Sequence, residues 1–201
     1  MEKGYTKRFI SFILKGRVLT LILATLFAVV LFFVAQFIIR SAANDPQIQI
    51  AEDTAIMLSG GVPGDIVVNA PIKDIGQTLS PFTVIFNASA MPVIGNASYK
   101  NVLPNPPKGI FFYSLNRGQH RVTWQPEPGL RFAVVIVPYH TERGEVGYVM
   151  TARSLREAES RIGEIGRYIF SAWFVAFIFI VFTSATGLYH AKRLFSKRFR
   201  K

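Results

Sequence analysis

The sequence contains no cysteine. That excludes a disulfide framework, thiol redox chemistry and any cysteine-ligated zinc or iron–sulfur centre. Histidine is nearly as scarce. His120, His140 and His190 are the only three, none lies at i, i+3 or i+4 from another, and no carboxylate cluster stands at ligand spacing beside them. No metal site is expected. Serines are numerous, but none sits in a Gly-x-Ser-x-Gly elbow, and Asp45, Asp53, Asp65, Asp74 and Glu127 form no paired-carboxylate motif. No Gly-rich phosphate loop is present either. The chain is therefore not expected to be an enzyme, and no cofactor is implied.

What the sequence has in excess is apolar and basic. Half of its 201 residues are hydrophobic, 18 are phenylalanine, and Lys and Arg number 23 against 12 Asp and Glu. The apolar excess is localised. Val18 to Ile39 runs 22 residues without a charge, Gln36 being the one strongly polar side chain. At 1.5 Å per residue it spans roughly 33 Å as a helix, enough to cross a hydrocarbon core. Tyr168 to Leu188 is a second uncharged run, with Trp173 near one end and Tyr189 just beyond the other, where an aromatic belt would sit. The basic excess flanks these runs. Residues 1–17 carry net +4 and residues 189–201 net +6, whereas residues 40–167 hold 12 basic and 11 acidic groups. That is the positive-inside pattern, with both termini cytoplasmic and the middle outside. The same charge suits anionic headgroups. With a net charge of only +1 in the middle, a nucleic-acid partner is not expected. Ser41-Ala42-Ala43 offers a small-x-small cleavage site, but the apolar core exceeds the 7–15 residues of a signal peptide, which favours an anchor.

Residues 1–17 read as a basic cytoplasmic leader. Asn44-Asp45-Pro46 reads as a helix start with Pro in the first turn. Ile48, Ala51, Ala55 and Leu58 then form one apolar stripe, expected to be a stalk helix continuing the first span, with a break at Pro46. Beyond Ser59-Gly60-Gly61 and Pro63-Gly64 the pattern changes. Phe82–Phe86 is β-rich, Asn87-Ala88-Ser89-Ala90 is a turn, and Met91–Ile94 is the return strand of a hairpin. Asn87-Ala88-Ser89 and Asn96-Ala97-Ser98 match the glycosylation sequon, a pattern that Asn- and Ser-rich turns also produce. Asn101–Pro107 is a loop. Lys108–Asn116, framed by Pro107 and Gly118, reads as a short helix, although Ile110-Phe111-Phe112-Tyr113 would also suit a strand. Gln119–Gln125 alternates, with Val122 and Trp124 on one face. Pro126–Gly129 is a turn, Leu130–Tyr139 a buried central strand, Thr141–Gly144 a hairpin turn and Glu145–Arg153 the last strand. Five or six strands in hairpin order, between a leading and a terminal helix, make an α+β domain with a central antiparallel sheet.

Ser154 followed three residues later by Glu157 is a capping-box signature for a long final helix. Leu155, Ala158, Ile162, Ile165 and Ile169 follow at 3–4–3–4 spacing, a heptad seam running into the second apolar run. Such a seam pairs with a second copy of itself in a homodimer, or packs on the Ile48–Leu58 stripe, or does both. Gly163 and Gly166 lie in this region and either permit close approach or are tolerated.

This order of elements, with Arg121-Val122-Thr123-Trp124-Gln125-Pro126 and Gly147-Tyr148-Val149-Met150-Thr151-Ala152-Arg153-Ser154-Leu155-Arg156-Glu157, resembles the extracytoplasmic PAS-like (single Cache-type) sensor region of bacterial sensor histidine kinases and chemoreceptors. In such sensors the last strand runs into a helix that enters the second membrane span. The resemblance implies a fold of two transmembrane helices, 18–39 and 168–188, flanking an extracytoplasmic PAS/Cache-like domain over 40–167. It implies a multi-pass protein of the bacterial inner membrane that serves as the sensory input module of a two-component-type system. Residues 189–201 look like the first part of a HAMP-type linker. No phosphoacceptor helix is found in these residues, so no catalytic role carries over; output would pass to a cytoplasmic module that is either cut off by a truncated or split gene or supplied by a separate kinase or receptor chain. The ligand candidates are Arg117, His120, Arg121, Trp124, Arg131, Tyr139 and Tyr148, an arginine supplying a fork for a small anionic or organic ligand and an aromatic supplying a wall. The competing expectation is that Trp124, Tyr139 and Tyr148 are core and the arginines a solvated face. The alternative function is a small membrane-anchored interaction or assembly protein that uses the same fold to bind a partner.

Overall fold

The computed structural model describes residues 2–42 and 45–198. The chain divides into a helical unit, running to Phe37 and resuming at Ile162, and a sheet domain, Ile38–Arg161.

The helical unit is built from α1 (Glu2–Ala42) and the greater part of α5 (Arg156–Arg198). Neither helix contains proline, and both apolar runs lie inside them, long and apolar enough to cross a membrane. They pair antiparallel at three levels. A Cβ on Gly166 would lie 3.1 Å from Phe32 Cε2, Trp173 Nε1–H donates to Thr25 Oγ1 at 3.0 Å, and a Cβ on Gly187 would lie 2.9 Å from Arg17 Nη2. Thr25 also donates to Leu21 O at 2.8 Å, so its hydroxyl is satisfied within the helix. The half-buried face of α1 runs Leu21, Ala24, Ala28, Phe32 and Ala35. Small residues there let the two backbones approach. Gly166 is where Phe32 fits, whereas Gly163 faces open space. On the remaining faces large side chains such as Phe27, Phe33, Phe170, Phe179 and Phe182 stay more than half exposed, an apolar surface far beyond what water tolerates.

The sheet domain centres on five antiparallel strands in the order β3-β2-β7-β6-β5. These are β2 (Phe82–Phe86), β3 (Pro92–Gly95), β5 (His120–Glu127), β6 (Leu130–His140) and β7 (Val146–Ser154). Period-2 alternation sends β2, β6 and β7 side chains to two separate cores. On one face Phe82, Val84, Phe86, Phe132, Val134, Ile136, Tyr148 and Met150 pack beneath α4 (Gly109–Leu115). Phe111 of that helix lies 4.4 Å from the Phe86 ring and 5.6 Å from Tyr148. On the other face Ile85, Val135, Val137 and Val149 pack beneath α2 (Asp45–Ser59). The result is three layers, helix, sheet and helix.

The expected strands Phe82–Phe86, Met91–Ile94, Gln119–Gln125, Leu130–Tyr139 and Glu145–Arg153, and the helix over Lys108–Asn116, fall within one or two residues of the observed elements. Several expectations are corrected. The Ile48–Leu58 stripe is no stalk. Ala51 and Ala55 are buried, and their small side chains let α2 lie close on Val135, Val137 and Val149. Asn44 lies outside the described residues; α2 begins at Asp45 with Pro46 in its first turn. A short helical turn, α3 (Gly64–Val67), follows, for which no expectation was set. A two-stranded parallel pair, β1 (Lys73–Asp74) with β4 (Ala97–Ser98), was not anticipated because two-residue strands carry no alternation. β6 has a neighbour on each side, but the middle strand is β7. β5 continues through a bulge to Glu127, leaving Pro128–Gly129 as the turn, with Gly129 at φ +82° where a side chain would be strained.

Candidate ligand cleft

The β6–β7 turn, the β2–β3 turn and the α2–α3 corner meet at one end of the sheet. The register fixes this, because Phe86 pairs with Tyr148 and Pro92 while His140 pairs with Val146. Between them, on the α2 face, lies a cleft of about 730 Å³, within the size range of small-molecule sites. Leu58, Ile85 and Ile94 give it an apolar floor, Val93 stands exposed at its edge, and its polar rim is formed by Asp65, Ser89, Thr141 and Glu145. Tyr139 supplies an aromatic wall.

Each hairpin is locked by its own chemistry. Asn87 Oδ1 accepts from the N–H groups of Ser89 and Met91, both at 3.0 Å, which closes the β2–β3 turn. Thr141 Oγ1 accepts from Glu145 N–H at 3.1 Å, and Gly144 takes φ +77°. The Tyr139 ring lies across its register partner Gly147. A Cβ there would stand 2.4 Å from Tyr139 Cζ, so only glycine admits the ring. Burial, and then the Glu145 carboxylate, push the Tyr139 hydroxyl above its usual value, so it stays neutral.

The seven expected ligand residues do not converge on this cleft, and Tyr139 alone lines it. Tyr148 is 1% exposed and packs in the α4-side core against Phe111 and Phe112. Trp124 is half-buried against Phe132. His120 and Arg117 meet at Tyr113, the imidazole 4.5 Å from its ring and the guanidinium 4.8 Å above it. Arg121 is exposed on the opposite side of β5 from Trp124. Arg131 is occupied by Glu159 at 2.6 Å, a pair that ties β6 to the first turns of α5. Asn96 of the second sequon is buried, its Oδ1 accepting from Thr83 N–H at 2.7 Å, so it is no surface acceptor.

The chain matches no protein-family model and no curated protein.

At the other end of the sheet the start of α5 is fastened. Glu157 bridges Arg153 at 2.8 Å and Arg161 at 2.6 Å, and Arg156 reaches Gly76 O at 3.0 Å. The expected capping box is not made. Ser154 is still in the ladder opposite Phe132, its Oγ accepts from Arg156 N–H at 3.3 Å, and the Glu157 carboxylate is drawn to the two arginines. A small cavity of about 260 Å³ lies here, between the end of α1 and these residues. Elsewhere Lys100 pairs with Glu127, which holds that carboxyl below its usual range; Glu127 in turn raises the nearby Tyr99 hydroxyl. Among the described residues no group of three potential ligands is placed to hold a metal ion.

The seam residues Leu155, Ala158, Ile162, Ile165 and Ile169 are all half-buried within one chain. Ile162, Ile165 and Ile169 share the stretch of α5 in which Gly166 receives Phe32.

Proposed function

We propose that this chain is a membrane-bound sensory input module, with α1 and α5 crossing the membrane, both termini cytoplasmic and the sheet domain outside. The single observation that carries the reading is the path of β7. It begins at the cleft, where Val146 lines the wall, and runs nine residues as the middle strand to Ser154. Two residues later α5 starts and enters the second apolar run. A change at the cleft therefore has a direct covalent route to the helix. The flanking basic segments and the lipid-like outer face of the helical unit support the topology. The path of the last strand is also what the PAS-like sensor resemblance implies. Signalling requires two arrangements of α5 with different affinity for the stimulus. A homodimer would place two such helices side by side, with a separate cytoplasmic kinase or receptor module as the recipient.

The absence of cysteine makes the test direct. In the full chain, Ser89→Cys is expected to react with a membrane-impermeant maleimide in intact cells, and Arg193→Cys only after permeabilisation. The opposite labelling refutes the topology. Inter-chain cross-linking of Arg167→Cys reports the shaft and is expected to change rate when the cleft is occupied.

A second reading, a membrane-anchored interaction or assembly protein, is favoured by α4. Phe112 and Tyr113 there are each 46% exposed and Leu115 is nearly as open. If Phe112→Ser shifts the size of native complexes while no cleft occupant alters α5 cross-linking, that reading prevails.

A further inference from the structure

We infer that the cleft binds a small organic cation, an ammonium group carrying an apolar chain, rather than the anion that arginine candidates would select. This rests on the sensory reading above for its biological sense and adds the chemical class of the ligand.

The cavity carries the inference through its shape and through the groups that line it. Its charged lining residues are Asp65 and Glu145, with no Lys, Arg or His among them. Neither carboxylate is in an ion pair among the described residues. The arginines that would make an anion site are placed elsewhere. Arg117 stacks on Tyr113, Arg131 holds Glu159, and Arg121 does not line the cleft. The Tyr139 ring is held in place on Gly147 and lines the cleft together with Glu145, and a carboxylate with an aromatic wall is a combination that recognises an ammonium group. Beneath the rim, Leu58, Ile85 and Ile94 suit methylene or methyl groups. A bare metal ion is a poor fit, because no third carboxylate or imidazole joins the two acids.

The test uses the full chain in lipid nanodiscs, with n-pentylammonium and choline as cationic probes and pentanoate as the matched anion, read by calorimetry and thermal shift. The cations are expected to bind and to raise the melting temperature, and pentanoate to do neither. The Asp65→Asn, Glu145→Gln double variant is expected to weaken cation binding by about tenfold or more. Both positions are exposed, so folding is retained. Tyr139→Leu is expected to weaken it severalfold and Tyr139→Phe to leave it nearly unchanged, since the ring and not the hydroxyl does the binding. Equal or tighter binding of pentanoate, cation binding indifferent to the double variant, or no cation binding at all would overturn the assignment. The two proposals separate cleanly. If pentanoate binds and alters Arg167→Cys cross-linking, the ligand class falls and the sensor stands. If the cations bind in the cleft and cross-linking never changes, the site stands and the sensor falls.

Discussion

Replacing Gln47 by methionine is expected to stabilise the sheet domain. Gln47 is 0% exposed, on the sheet-facing side of α2, and neither its Nε2 nor its Oε1 has a hydrogen-bond partner. A buried amide left unpaired costs about 1–3 kcal/mol on the scale of protein substitutions. Methionine has nearly the same length and volume and is flexible enough to fill the site, so little packing is lost. The expected gain is therefore about 1–3 kcal/mol. For a domain of this size each kcal/mol moves the melting temperature by roughly 3–6 °C. Thermal unfolding of the full chain in detergent, followed by circular dichroism, reads this directly. Gln47→Glu places an unpaired charge in the same site and is expected to do the reverse, by at least as much. If methionine lowers the melting temperature, the amide is hydrogen-bonded, through water or a bound group, and the reasoning from its isolation fails.

Gly147→Ala drives a methyl group into the Tyr139 ring and is expected to cost about 1–3 kcal/mol while displacing the aromatic wall, so stability and cation binding should fall together in denaturation and calorimetry. Phe111→Ala removes the ring that holds α4 to Phe86 and Tyr148, and about 3–5 kcal/mol of unfolding free energy should go with it in a urea titration. The Lys100–Glu127 pair gives a pH dependence of fixed sign. Because the folded Glu127 value is depressed, its contribution is present above the ordinary carboxylate value and disappears as the pH falls through the folded value. Carboxyl chemical shifts should show the low midpoint in the parent chain and its return toward normal in Lys100→Met; an unchanged midpoint counts against the pairing.

Much of the sheet was legible because alternation is a local property. Val122 and Trp124 on one face of β5, and the doubly apolar middle of β6, announce themselves without any knowledge of their neighbours. The helix over Gly109–Leu115 was only partly legible: its Pro and Gly frame favours a helix, but Ile110-Phe111-Phe112-Tyr113 also suits a strand. What alternation does not say is which surface an apolar stripe will meet. Ile48, Ala51, Ala55 and Leu58 suit a partner helix as well as a sheet, and the two alanines turned out to fit the flat, β-branched surface of Val135, Val137 and Val149. Arginines mislead for a related reason. Arg131 is a plausible anion fork on a strand until α5 folds back and supplies Glu159, 28 residues away in sequence. The cleft was the least legible feature, since Asp65, Ser89, Tyr139 and Glu145 are scattered and no motif joins them. No local signal stood in for this: in an uninterrupted meander the Asn87–Ala90 and Thr141–Gly144 turns would fall at opposite ends, and only the non-sequential pairing of β2 with β7 brings them to one end of the sheet.

The position of β7 has a mechanical consequence. All nine of its residues pair with β6, and Tyr148 to Ala152 pair with β2 as well. Sliding it by one residue would break two ladders at once and turn every core side chain to the wrong face. The strand is thus inextensible, and hydrogen exchange should find it among the last segments to open. Whatever force reaches it moves the sheet as one plate. The joint at Leu155 is held as well, its N–H donating to Arg131 O at 2.8 Å. On the sensory reading proposed above, a displacement at the cleft would reach the start of α5 as movement of a stiff body, not as slack taken up along the way.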